Sequence, residues 1–115
     1  MFIIDKKKIE MIEGDFGIDL PITIELEGSE SISQADIFRL SIFKGINKEP
    51  LIQKSYSLNE NNTFNFNLTE EESSLLKVGY YRYDLDWYSG EQFMNNVVAK
   101  EIFQVTEKAG IVNED

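Results

Sequence analysis

Cysteine and histidine are both missing from this chain. Without cysteine there is no thiolate nucleophile, no iron–sulfur or thiolate zinc site and no disulfide, so redox chemistry says nothing about compartment. Without histidine, the usual general base near neutral pH and the commonest transition-metal ligand are gone as well. Carboxylates, hydroxyls, lysine and tyrosine remain. Glycoside hydrolysis from that inventory needs a carboxylate pair across a deep cleft, which 115 residues leave little room to build. Positive charge is also scarce: 11 basic against 21 acidic residues give a net charge of −10. That balance repels phosphate backbones and anionic lipid, so neither nucleic acid nor a membrane surface is an expected partner. No apolar run approaches the roughly 20 residues needed to cross a bilayer. Phe2-Ile3-Ile4, followed by Asp5-Lys6-Lys7-Lys8, is too short and wrongly flanked for a signal-peptide core. With Met1 as the native start, export by the general secretory route is not expected.

What the chain does have is aromatic alternation. From Gly79, the residues Tyr81, Tyr83, Leu85 and Trp87 fall on one side of an extended strand, and Tyr80, Arg82, Asp84, Asp86 and Tyr88 on the other. A helix would scatter these rings around its circumference; a pleated, half-buried strand collects them.

The same period recurs along the chain. Ile9 to Glu13 reads as a short strand ending in the turn signal Gly14-Asp15. Phe16, Ile18, Leu20, Ile22, Ile24 and Leu26 alternate with polar or small residues, which predicts one long half-buried strand. Pro21 lacks a ladder donor and places that strand at an edge or a bulge. Phe38, Leu40 and Ile42 share a face, 51–56 forms a weaker strand, and Phe64, Phe66 and Leu68 point to the core. Thr69-x-x-Glu72 is a capping box, opening a single helical turn that Gly79 is expected to stop. Glu70, Glu71 and Glu72 there suit the positive end of the helix dipole. After the turn Ser89-Gly90-Glu91, a last strand runs from Phe93 to Thr106, with Val97, Ala99, Phe103 and Val105 in one register and Val98 and Ile102 in the other.

These elements predict an all-β, antiparallel sandwich of about seven strands, with one short helical turn before the aromatic strand. The expected organisation is an N-terminal extension over 1–8, the sandwich over 9–106 and a charged tail over 107–115. A chain of this length removes roughly two-thirds of its unfolded surface from water and folds without staples.

No residue set carries an obvious reaction, and no cofactor or metal is expected. Asp84, Asp86 and Glu91 are hard oxygen ligands but lack the spacing of a calcium loop, and read as solvated strand carboxylates. The candidate partner contacts are Phe2, Ile3 and Ile4, an apolar plug able to add to a strand edge, together with Tyr80, Tyr88 and Phe93, the rings most exposed by register. Those three rings also define the alternative function, a glycan-binding module for host-surface attachment.

Two resemblances attach to these residues. Gly79-x-Tyr81-x-Tyr83 after Leu76 resembles the tyrosine-corner entry to strand F of immunoglobulin-like sandwiches, with Tyr83 at the position of the second antibody cysteine. The ordered set Gly14-Asp15, Ala35-Asp36-Ile37, Thr69-Glu70-Glu71-Glu72, Gly79 to Leu85 and Glu101 to Thr106 is similar to the small immunoglobulin-like virion proteins of tailed bacteriophages and prophages of Gram-positive bacteria. That likeness spans about residues 9 to 106. Phe16 departs from it where a threonine is frequent, and Ala35 where a glycine is. The resemblance implies a non-enzymatic structural module made in the host cytoplasm and located in the virion, as a head (capsid) decoration or a tail, neck or baseplate adaptor. Its implied partners are other virion proteins of the capsid or tail lattice, with self-association as a further expectation.

Overall fold

The computed structural model describes residues 2–4, 8–26, 32 and 35–107. Within them the chain forms β1 (Phe2–Ile4), β2 (Ile9–Ile12), β3 (Leu20–Leu26), β4 (Ile37–Phe43), β5 (Ile52–Tyr56), β6 (Thr63–Phe66), α1 (Glu70–Ser73), β7 (Gly79–Ser89) and β8 (Gln92–Thr106). The fold is an all-β sandwich. A three-stranded sheet in the order β1-β3-β6 faces a five-stranded sheet in the order β2-β8-β7-β4-β5. The expected tail from 108 onward lies outside the described residues.

The aromatic strand is the centre of the larger sheet, flanked by β4 and β8. Tyr81, Tyr83, Leu85 and Trp87 are buried, as their alternation predicts. Facing them from the smaller sheet are Ile22, Ile24, Phe64 and Phe66, also buried, with the Phe66 ring set edge-on to Phe103 at 6.1 Å. Burying a large apolar side chain contributes about 1.5–3 kcal/mol, so this interlocked layer is the main stabilising element. Burial, with the negative charge of Glu101 adding to it, pushes the Tyr83 hydroxyl well above the usual phenolic range.

The entry to β7 closes on itself. The Lys77 N–H donates to the Tyr81 hydroxyl at 2.8 Å, and that hydroxyl donates to the Lys77 carbonyl at 3.2 Å. Two backbone polar groups of the connecting turn are thereby satisfied by one side chain, the local geometry of a tyrosine corner. At the other end of the strand, the Trp87 indole N–H donates to the buried Asp36 carboxylate at 2.9 Å, pinning the approach to β4.

Five sequence expectations change. The sandwich is mixed rather than wholly antiparallel, because β2 pairs with β8 in parallel, Ile9 opposite Phe103 through Ile12 opposite Thr106. The strand expected from Phe16 starts only at Leu20. Gly14 and Gly17, at φ of 90° and 73°, bend the chain from one sheet to the other and leave Phe16 and Ile18 in the crossing loop. The single helical turn ends at Ser73 with Ser74 as its cap, while Gly79 is the first residue of β7. The helix therefore needs no glycine stop, since its last amides close in tighter turns: Leu75 N–H to the Glu72 carbonyl and Leu76 N–H to that of Ser73.

The fourth change is in β8, where burial does not follow one register. Val98, Phe103 and Val105 are buried together, Ala99 is exposed and Ile102 is 44% exposed. Between the pairs Tyr83 with Glu101 and Leu85 with Val98, two residues, Ala99 and Lys100, oppose Asp84 alone. Lys100 adopts a left-handed φ of 58°, and its N–H, turned out of the ladder, donates to the Asp84 carboxylate at 2.8 Å. The inserted residue moves the buried parity from Phe103 and Val105 to Val98, and two further register shifts follow toward the turn.

The edge or bulge expected at Pro21 is not found. Pro21 lies in the middle strand of the smaller sheet, paired with Asn65 of β6. However, β1 pairs only with 24–26 of β3, so on that side Pro21 faces no strand among the described residues and no missing donor is felt.

Candidate functional site

Three of the conspicuous carboxylates, Glu72, Asp84 and Asp86, have structural partners. Glu72 completes the capping box: it accepts from the Thr69 N–H at 2.9 Å while its own N–H donates to the Thr69 hydroxyl at 3.1 Å. Glu72 also takes an ion pair from Lys54 at 2.9 Å. Partial burial opposes its ionisation, but the Thr69 N–H and the Lys54 ammonium outweigh that and hold its carboxyl below the usual range. Asp84 holds the bulge amide of Lys100. Asp86 accepts from the Asn96 side-chain amide. Burial raises its carboxyl above the usual value, with the Asn96 hydrogen bond opposing, the neighbouring Asp84 charge adding and Arg39 opposing. Among the described residues no three Asp or Glu side chains converge as a metal set, and no helix is long and apolar enough to cross a membrane.

The aromatic candidates do not form one platform. Tyr80 is 69% exposed at the Gly79 end of β7, where its hydroxyl accepts from the Gln104 side-chain amide at 3.3 Å. Tyr88 lies eight residues further on, roughly 25 Å away at strand rise. There it packs edge-on against Phe93 at 5.6 Å, and the Arg39 guanidinium covers its ring at 4.7 Å. Between them, Arg82 covers Phe43 at 4.2 Å and donates to the carbonyls of Gly45 and Asn47. Stacking a sugar on the Tyr88 face that Arg39 covers would require Arg39 to leave.

Phe93 belongs to a different feature. In the β7–β8 hairpin, β7 is paired with β4 as far as Tyr88, whereas residues 91–96 are exposed whichever way their side chains point, Phe93 at 53% and Met94 at 42%. Because β2 reaches only 103–106, residues 92–102 of β8 pair with β7 on one side and with no strand on the other among the described residues, although β1 of the smaller sheet approaches β8. The bulge at Lys100 interrupts this edge and leaves 92–98 as its run on the turn side.

Phe2, Ile3 and Ile4 are the backbone of β1, opposite Leu26, Glu25 and Ile24 of β3. The apolar plug thus adds to a strand edge, and the edge belongs to its own chain.

Alternation alone missed a further concavity. On the flank between β2 and β3 is a cavity of about 160 Å³ whose lining includes Ile9, Leu20, Phe66, Leu68 and Phe103, with Phe16 and Ile18 at its mouth and Glu10, Asp15 and Asp19 around it. Phe16 is 49% and Ile18 63% exposed. The crossing loop that carries them is tied at three points: Glu13 N–H to the Thr106 carbonyl, Asp15 N–H to that of Ile12 and Gly17 N–H to that of Leu68, at 2.8 to 3.0 Å. The clue in the sequence was Gly14 and Gly17, which interrupt a period that otherwise reads through. Compared with known protein families, characterised proteins and solved structures, the chain matches none.

Proposed function

We propose that this protein is a non-enzymatic docking module with an immunoglobulin-like sandwich, which attaches to other proteins of a phage virion as a head decoration or a tail, neck or baseplate adaptor. The observation that carries the docking part is the β8 edge over 92–102, which pairs with no second strand among the described residues and whose segment 91–96 is exposed on both faces. An exposed strand edge recognises a partner by backbone hydrogen bonds, and apolar side chains such as Phe93 and Met94 add specificity. On a repeating lattice, many such weak contacts sum to firm attachment. Carboxylates committed to caps, bulges and ion pairs support a role without bond-making chemistry.

The immunoglobulin-like reading is supported by the partition of strands. β3 and β6 lie in one sheet and β4, β7 and β8 in the other, as strands B and E oppose C, F and G in that fold. The Tyr81 corner adds to it. The virion setting rests on the resemblance of Gly79 to Leu85 and its flanking segments to small phage proteins. The test is incorporation: in a host lysate producing particles, the protein should sediment with assembled virions and be detected in them by mass spectrometry. Recovery only in the free-protein fraction would overturn the proposal.

A further inference from the structure

We infer that the flank cavity between β2 and β3 is a second docking site, one that takes a single large apolar side chain from a partner-protein segment flanked by lysine or arginine. The inference rests on the docking reading above and adds a place and a partner chemistry to it. Three observations lead there. The volume, about 160 Å³, suits one leucine or phenylalanine side chain, since a dry cavity of about 150 Å³ accepts benzene. The mouth keeps Phe16 and Ile18 half exposed or more, although the loop that carries them is fixed by three backbone hydrogen bonds. A fixed lip means an incoming chain meets a preformed surface and loses little further ordering entropy on binding.

Charge selects the occupant. Glu10, Asp15 and Asp19 surround the opening. The described cation beside them, Lys8, pairs with Glu10 at 3.0 Å between side chains about half exposed, a contact that salt screens readily. Asp19 accepts from the Asn67 side-chain amide, which leaves its negative charge in place. An apolar floor under an acidic rim favours a cationic, apolar segment and repels an acidic one.

The test uses two fluorescent peptides, Lys-Lys-Leu-Phe-Lys-Lys and Lys-Lys-Gly-Gly-Lys-Lys, titrated against the full chain with amide chemical-shift mapping. The first should bind about tenfold or more tighter than the second, the worth of burying a large apolar side chain. Its shifts should centre on residues 9–20 and 66–68. Phe16→Ser with Ile18→Ser should remove most of that advantage while the melting curve stays unchanged, and Asp15→Lys should weaken both peptides. Phe93→Ser on the hairpin should change neither. Equal binding of the two peptides, or shifts centred on the hairpin, would overturn the inference. Incorporation into particles judges the docking reading separately.

Discussion

The two flanks of the sandwich are built from similar residues and finished differently. On the β5–β6 flank, Tyr56 stacks on Phe64 at 4.6 Å and meets Phe66 edge-on at 6.4 Å, while Lys54 donates to the Asn67 carbonyl at 2.7 Å and pairs with Glu72. Partial burial pushes the Tyr56 hydroxyl above its usual value; the Asn67 backbone opposes this and the charges of Glu72 and Asp19 reinforce it. Rings and charges there are spent on one another. On the β2–β3 flank, Phe16 and Ile18 stay largely exposed, and Glu10, Asp15 and Asp19 line an open cavity, with Glu10 paired to a half-exposed Lys8. A closed flank stabilises; an open one is available for binding.

Phe66 belongs to both flanks, and Phe66→Ala should have the largest effect, about 3–5 kcal/mol in urea denaturation. Loss of less than about 1 kcal/mol would mean that the two sheets do not meet at this ring. Tyr56→Ala removes the half-buried ring that closes one flank. It should cost roughly 2 kcal/mol, about half the price of a fully buried aromatic. Thr69→Ala breaks the capping box beside it and should cost about 1 kcal/mol.

The Glu72 carboxyl is held below its ordinary range in the folded protein, so its stabilising contribution is complete above the unfolded value of about 4.3 and is lost as pH falls through the folded value. Glu72→Gln should therefore flatten the acid limb of stability against pH, and an unchanged limb would show that Lys54 and the cap do not act through this charge. The smallest effect belongs to the open flank: Phe16→Ser should stay within about 0.5 kcal/mol of the parent. A loss comparable to that of Tyr56→Ala would make the crossing loop part of the core and erase the contrast.

How much of this was legible depends on where the information resides. The core face of β7 could be read directly, because Tyr81, Tyr83, Leu85 and Trp87 alternate without interruption and strands on both sides keep that face inward. The capping box at Thr69 and Glu72 was equally plain, since its two hydrogen bonds span only three residues. The register of β8 was not. Val97, Ala99, Phe103 and Val105 share parity, but the residue inserted near Lys100 depends on Asp84 of the neighbouring strand to receive its amide. Phe16 and Ile18 misled for a related reason: their period matched β3, yet the chain had to cross between sheets before β3 began.

For the candidate contacts, exposure of Tyr80 and Phe93 followed from strand parity and the nearby turn. That Arg39 covers Tyr88, and that Tyr80 stands at the opposite end of the sheet, required strand pairing, because residues 39 and 88 meet only when β4 lies beside β7.

Local order along the chain was sufficient to decide that this protein is made of strands, which faces of most of them are apolar, and where the helical turn begins, because alternation and capping act over a few bonds. Tertiary assembly alone decided the parallel seating of β2, the parity switch in β8, the β8 edge left unpaired among the described residues and the flank left open, because each depends on which distant segment arrives alongside and which backbone groups it satisfies.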